Sequence, residues 1–202
     1  EGIRQLRPGT FLLVEDGRLT VRRYWDANLE PDAASGPSLE EEVAARLREA
    51  VRLHLRSDVE VGLSLSSGLD SQLLRALVLQ SGAAPSRLQC FTYSFPGTPY
   101  DEWQRGWEAL AEERSRFHRV EIRPQETLDT LADLGGVMEG PVGGLGIYGY
   151  WRNAQRASEQ GIKVLLDGQG ADETFAGYRY YYETHIRQLW ARGKPVGECL
   201  HR

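Results

Sequence analysis

Two short stretches of this chain gather acidic, hydroxyl and glycine residues where an apolar run gives way to a helical pattern. The first is LSSGLDSQLL, residues 65–74. A helix start offers unpaired N–H groups and a partial positive charge, which together attract phosphate. Gly68 lets the backbone approach an anion closely. Ser66, Ser67 and Ser71 supply hydroxyl donors. Asp70 repels a bare phosphate, so its presence makes sense if it holds a Mg²⁺ ion that bridges to phosphate oxygens. The alternative is a capped strand-to-helix turn without a ligand, since Ser and Asp are common helix caps. Neither the GxxxxGK[ST] nor the GxGxxG pattern fits residues 65–74, which speaks against a P-loop kinase or a dinucleotide fold.

The second stretch is LLDGQGADETFAGY, residues 165–178. Gly168 and Gly170 leave its backbone accessible, and Asp172 and Glu173 fall at the start of the following helix. Alone it also reads as a capped helix with an acidic first turn. Two such loops in one domain change the reading. If their parent strands are neighbours in a sheet, Asp70 and Asp172 can share one Mg²⁺, an arrangement suited to a nucleoside triphosphate.

The elements around these loops alternate. Residues 1–26 read as short strands, with TFLLV and RLTVRRYW joined by Asp16-Gly17 as a hairpin. A hairpin alone is marginal in water and should pack on something. Residues 27–37 are rich in Pro, Ala, Ser, Asp and Gly and read as a linker. Ser38 and Glu41 then form a capping box for a helix that carries Leu39, Val43, Leu47, Val51 and Leu55 on one face. VGLSL, QCFTYSF, FHRVEI and KVLLD follow as strands. Helices are expected over SQLLRALVLQSG, residues 101–116, residues 126–137 and residues 148–160. Alternation of this kind predicts an α/β fold, with a mostly parallel sheet covered by helices on both faces. In such sheets ligands bind outside the carboxyl ends of the strands. Residues 140–150, GPVGGLGIYGY, suit either a mobile substrate loop or a plain connector.

The chain has 202 residues and a net charge of -5, which speaks against a broad nucleic-acid or membrane surface. The aromatic run YRYYYETHIRQLW could stack bases, but packing against a partner or a further region suits an acidic protein better. Cys90 and Cys199 form no metal or disulfide pattern, and Cys90 reads as a buried thiol. With no apolar run of membrane-spanning length and no signal peptide, a cytoplasmic protein is expected. The chain opens on Glu1 and its sole methionine is Met138, so a segment of a longer protein is expected.

SSGLDS resembles the SGGxDS pyrophosphate loop of the N-type ATP pyrophosphatases, and DGQGADETFAGY resembles the second signature of the asparagine synthetase family. The order and separation of the loops fit that family, as do the CFTYSF and YDE stretches between them. LRPGTFLLVEDGRLTVRRYWD is similar to the last strands of the family's glutaminase domain and the start of its linker. The resemblance thus implies a hairpin from that domain at 1–26, a linker at 27–37, and a synthetase domain at 38–202 that is truncated at its C-terminus. It implies the Rossmann-like α/β/α fold of the adenine nucleotide alpha hydrolases.

It also implies ATP and Mg²⁺ as ligands. Carried over, Ser66, Ser67, Gly68, Asp70 and Ser71 cradle the phosphates, while Leu65 and Tyr93 meet adenosine. Asp167 and Gly168 line the nucleotide, and Asp70 and Asp172 hold the metal. Asp70, Gln169 and Asp172 are the residues expected to carry the chemistry. The implied reaction activates a carboxylate, such as the aspartate side chain, as its acyl-adenylate, and ammonia derived from glutamine then displaces AMP. The partners implied are these small molecules, a glutaminase domain or subunit on the N-terminal side and a second copy as a homodimer, with no nucleic acid and no membrane.

Three departures bear on this. Ser67 replaces the first Gly of SGG. Gln169 stands where many members have a Glu, and a neutral amide cannot serve as a base. EGPV at 139–142 replaces the common DEPF, so Gly140 removes a carboxylate near the acceptor pocket. The N-terminal cysteine nucleophile of the glutaminase half is also absent from the start of this chain. The alternatives are a peptide macrolactam or β-lactam type of synthetase, a tRNA-modifying pyrophosphatase, or a non-catalytic domain.

Overall fold

The computed structural model describes residues 2–27, 37–84, 87–101, 103 and 116–193. Most of the expected linker (28–36) and most of the helix expected over 101–116 lie outside these residues. The chain divides into two compact units, Glu1–Val43 and Ala44–Arg202.

The first unit holds strands β1 (Thr10–Glu15) and β2 (Arg18–Arg23), paired antiparallel with Glu15 opposite Arg18. That register leaves only Asp16 and Gly17 in the turn, with φ of 49° and 73°. Positive φ at both positions matches the turn twist to the strand twist, which is why Asp-Gly signals a hairpin so well. The hairpin leaves Val14, Leu19 and Val21 exposed, and all six residues of β2 are exposed.

Helix α1 (Pro37–His54) leads into the second unit. It already includes Ser38, so that residue lies in its first turn rather than at the cap, a correction to the expected capping box. Of its apolar face, Val51 is buried and Leu47 and Leu55 pack against the core, while Leu39 is exposed. Next come β3 (Val61–Ser64), α2 (Leu69–Gln80), β4 (Gln89–Ser94) and β5 (Arg116–Glu121). After them lie α3 (Pro124–Met138), α4 (Leu145–Glu159), β6 (Val164–Leu166), α5 (Ala171–Phe175) and α6 (Arg179–Ala191). Arg116, expected to end a helix, opens β5 instead. Residues 145–147, expected within a glycine-rich loop or connector, form the first turn of α4, which starts three residues before the helix expected over 148–160.

Among the described residues, four strands of this unit pair parallel in the order β5-β4-β3-β6. Side chains alternate across the sheet, so neighbouring strand residues serve opposite layers. Leu63 and Cys90 pack with Val51 of α1 and Leu77 and Val78 of α2. Phe91 packs with Ala157 of α4, Ile162 and Leu165. Ile122, Leu134 of α3 and Tyr148 of α4 form a third cluster. This is the α/β fold expected from the alternation, with Cys90 fully buried.

α3 and α4 are also joined by polar bonds. The Thr130 and Tyr148 hydroxyls lie 2.7 Å apart, and Arg152 donates to both the Tyr148 hydroxyl and the Glu126 carboxylate. The buried tyrosine thus keeps its polar end satisfied. Among the described residues no helix is long and apolar enough to cross a membrane.

His118 on β5 stacks on Phe91, with ring centroids 4.6 Å apart, and its Nε2 lies 2.7 Å from Gln89 Oε1. Burial, with Arg156 and Arg116 nearby, holds its pKa below the ordinary value of 6.5. The folded state therefore favours the neutral ring. Its contribution to stability is complete above pH 6.5 and is lost as pH falls from there through the folded pKa. In urea unfolding at pH 7.5 and 5.5, His118→Phe should lose less stability than the unaltered protein. An equal loss in both would remove His118 as the cause.

Candidate functional site

Both acidic loops leave the carboxyl ends of adjacent strands. β3 and β6 pair directly, with Val61 opposite Val164 and Leu63 opposite Leu166. The condition for Asp70 and Asp172 to face one ligand is thus met by the topology. A cavity of about 140 Å³ opens there. The first loop lines it with Leu65, Ser66, Gly68, Asp70 and Ser71, and the second with Asp167, Gly168, Gln169 and Asp172. Tyr93 at the end of β4 completes the set expected from sequence, apart from Ser67, which is half-buried and outside the lining. Ser64 and Tyr150 also line the cavity, and sequence reading missed both.

The first loop is built around Ser71, which is buried. Its Oγ accepts the Ser66 N–H at 3.1 Å and lies 3.0 and 3.1 Å from the Ser66 and Gly68 carbonyl oxygens. Gln72 Nε2 donates to the Ser66 carbonyl at 2.6 Å, and the Gly68 N–H donates to Ser66 Oγ at 3.1 Å. A hydroxyl has one proton, and these carbonyls claim that of Ser71. Ser71 is therefore a brace for the loop, rather than the free donor its position in the motif suggested. No side chain caps the start of α2 at Gly68. The first N–H groups of a twelve-residue helix thus lie beside the cavity without competition from a capping side chain.

The second loop comes very close to the first. A Cβ at Gly168 would sit 3.0 Å from Asp70 Cβ and 3.2 Å from the Ser71 nitrogen. Only glycine allows this approach without a shift. Asp167 folds its own loop by accepting the Gln169 N–H at 3.1 Å. Gly170 adopts φ 94° and opens α5. Further on, a Cβ at Gly177 would lie 1.9 Å from Asp172 Oδ1, so the glycine of AGY makes room for that carboxylate. Glu173 instead accepts the Tyr178 hydroxyl at 2.7 Å, which lowers its pKa and pushes that of Tyr178 up to about 12.

The far wall is aromatic. Tyr93 packs on α4 at Gly149, where a Cβ would come within 2.8 Å of its ring. Tyr150 meets Tyr93 edge-on at 5.8 Å between centroids and accepts a 2.7 Å hydrogen bond from Gln169 Nε2. Asn153, buried beneath, donates to Ser64 Oγ and to the Phe91 carbonyl, both at 3.2 Å. Gly140 is not part of the lining, and a Cβ there would meet only the Met138 carbonyl at 3.8 Å. Sterics therefore do not require glycine at that position.

The donor set fits a hard cation shared with a phosphate substrate. Three carboxylates line the cavity, Asp70, Asp167 and Asp172, of which Asp167 is engaged by the Gln169 N–H, and among the described residues no group of three or more His, Cys, Asp or Glu forms a preassembled cage. Mg²⁺ commonly takes one or two carboxylates and completes its shell with phosphate oxygens and water.

Two substitutions test this geometry. Ser71→Ala should destabilise the protein by about 0.5–1.5 kcal/mol, because it removes the hydrogen bonds by which the Ser71 hydroxyl braces the loop. Gly168→Ala should cost about 1–3 kcal/mol by forcing the loops apart. Urea unfolding measures both, and wild-type stability in either variant would contradict the packing described.

A family model described as asparagine synthase matches residues 42–200. Among curated relatives, Amidase chyE of Penicillium rubens is 30% identical over 88% of this chain and 29% of its own length. Asparagine synthetase 1 of Bacillus subtilis is 29% identical over 90% of this chain and 28% of its own. Asparagine synthetase B of Escherichia coli is 26% identical over 90% of this chain and 35% of its own. The chain therefore spans about a third or less of these relatives. With the model match covering most of its length, the chain belongs to the asparagine synthase family.

Proposed function

We propose that this chain carries the ATP-binding half of an amide-forming ligase, one that activates a carboxylate as its acyl-adenylate so that an amine can displace AMP. The carrying observation is the convergence of two Asp-bearing loops from adjacent parallel strands on one cavity. Asp70 and Asp172 are the residues that hold Mg²⁺ in this reading. When bound, that ion neutralises charge on the pyrophosphate that departs. The uncapped start of α2, with Ser66 and Gly68, receives the phosphate oxygens. Asp167 and Gly168 line the nucleotide on the other side, and Leu65 and Tyr93 meet adenosine. A carboxylate oxygen attacks the α-phosphorus in line, and pyrophosphate leaves toward the α2 N–H groups. The amine then attacks the acyl carbon, AMP leaves, and the amine's surplus proton passes to a phosphate oxygen of the departing AMP or to water. Gln169 is neutral and takes no proton in this scheme, so the amine arrives uncharged. In the full protein, a glutaminase domain on the N-terminal side supplies the ammonia and aspartate is the acceptor.

A second reading keeps the same activation but applies it to a carboxylate other than aspartate; that a similar protein is named an amidase rather than an asparagine synthetase leaves room for a different substrate. The absence of a carboxylate at Gly140 favours it.

Isothermal calorimetry tests the shared part. Mg-ATP should bind the unaltered chain, and Asp70→Asn and Asp172→Asn should each weaken binding by about tenfold, the loss of one charge-assisted contact. No binding by the unaltered chain would overturn the proposal. Pyrophosphate release by the full-length protein, with aspartate and with a panel of other carboxylates, separates the two readings.

A further inference from the structure

Tyr150 belongs to neither acidic loop, yet it forms one wall of the cavity. It lies on α4, six residues into that helix, and its ring is held edge-on against Tyr93. The Tyr93 ring is itself seated against Gly149 and packs edge-on to Phe95 at 5.9 Å. The Tyr150 hydroxyl is thereby fixed at the cavity, where it accepts from Gln169 Nε2 at 2.7 Å.

The proton count then has a consequence. Accepting the Gln169 N–H uses a lone pair of the phenol oxygen and leaves its own proton to donate. Gln169 Nε2 carries a second proton that this bond does not use. Two neutral donors, held by each other, therefore stand beside the cavity. A carboxylate at position 169 would reverse the pairing. It would accept the phenol proton, so that neither group would donate to a ligand.

We infer that Tyr150 is a ligand-binding and positioning residue, which orients the Gln169 amide and donates its phenol proton to a phosphate oxygen of the bound nucleotide. This rests on the ATP-binding reading above. It also gives the Gln at position 169 a task of its own: the pair acts as an anion-binding clamp.

Tyr150→Phe is the direct test, because it keeps the ring and its contact with Tyr93 while removing the hydroxyl. Three measurements on the full chain decide the matter. Calorimetry with Mg-ATP should show binding weakened by roughly tenfold in Tyr150→Phe, the loss expected for a hydrogen bond to a charged oxygen. Without nucleotide, the Gln169 side-chain amide signals in a ¹⁵N NMR spectrum should shift in Tyr150→Phe, while the unfolding midpoint stays near that of the unaltered protein. Tyr150→Phe combined with Gln169→Ala should bind Mg-ATP little worse than Gln169→Ala alone, because the two residues act as a unit. Unchanged binding in Tyr150→Phe overturns the donor role, and unshifted Gln169 signals overturn the positioning role. Failure of the unaltered chain to bind Mg-ATP overturns the underlying function instead, and the NMR comparison still reports on the Tyr150–Gln169 pair.

Discussion

The parallel pairing of β3 with β6 is the constraint on which the rest depends. It sets Leu63 beside Leu166, and so brings two loops far apart in sequence to one edge of the sheet. Parallel strands need crossover connections, and here, among the described residues, the crossover contains β4, β5 and helices α2, α3 and α4. The pair holds because both strands are half-buried or buried within the sheet and are covered by α1, α2 and α4. Gly62 tightens the arrangement, since a Cβ there would come within 3.0–3.1 Å of Leu165, Gln89 and Phe91. The close contact of Gly168 with Asp70 and Ser71 then sets the separation of the loops.

Within that frame the polar groups divide into those that build the site and those left for a ligand. Ser71, Gln72 and Asp167 spend their hydrogen bonds on the loops themselves. Glu173 is occupied by Tyr178. Asp70 and Asp172, with the remaining Asp167 oxygen and the α2 N-terminus, carry the charge and dipole that face the cavity. A loop that needs to bind an anion tightly benefits from being rigid beforehand, because the cost of ordering it has been met in folding.

Much of this was legible in the chain. Asp16-Gly17 dictates positive φ at two positions and so a hairpin. The apolar runs bounded by glycine and followed by helical periodicity mark buried parallel strands and their crossovers. The Ser, Gly and Asp content of residues 65–71 and 167–172 pointed to the cavity lining with the exception of Ser67. Less visible were Ser64 and Tyr150. Ser64 looks like any strand residue, and Tyr150 sits in a helix whose other aromatic residues, Tyr148 and Trp151, serve the core. Only the packing of α4 on β4 separates Tyr150 from them. Nor could the motif reveal that Ser71 faces its own loop, because the side-chain direction depends on where the Ser66 and Gly68 carbonyls turn.

The residue order determined local matters: which segments are strands or helices, where glycine must permit a turn, and which residue types stand ready for phosphate and a divalent cation. These follow from interactions a few residues in range. The tertiary structure decided which strands are neighbours, how near Gly168 comes to Asp70, and that Tyr150 reaches Gln169. Those depend on the packing of segments far apart in sequence, where burial of apolar surface sets the distances and no local pattern records them.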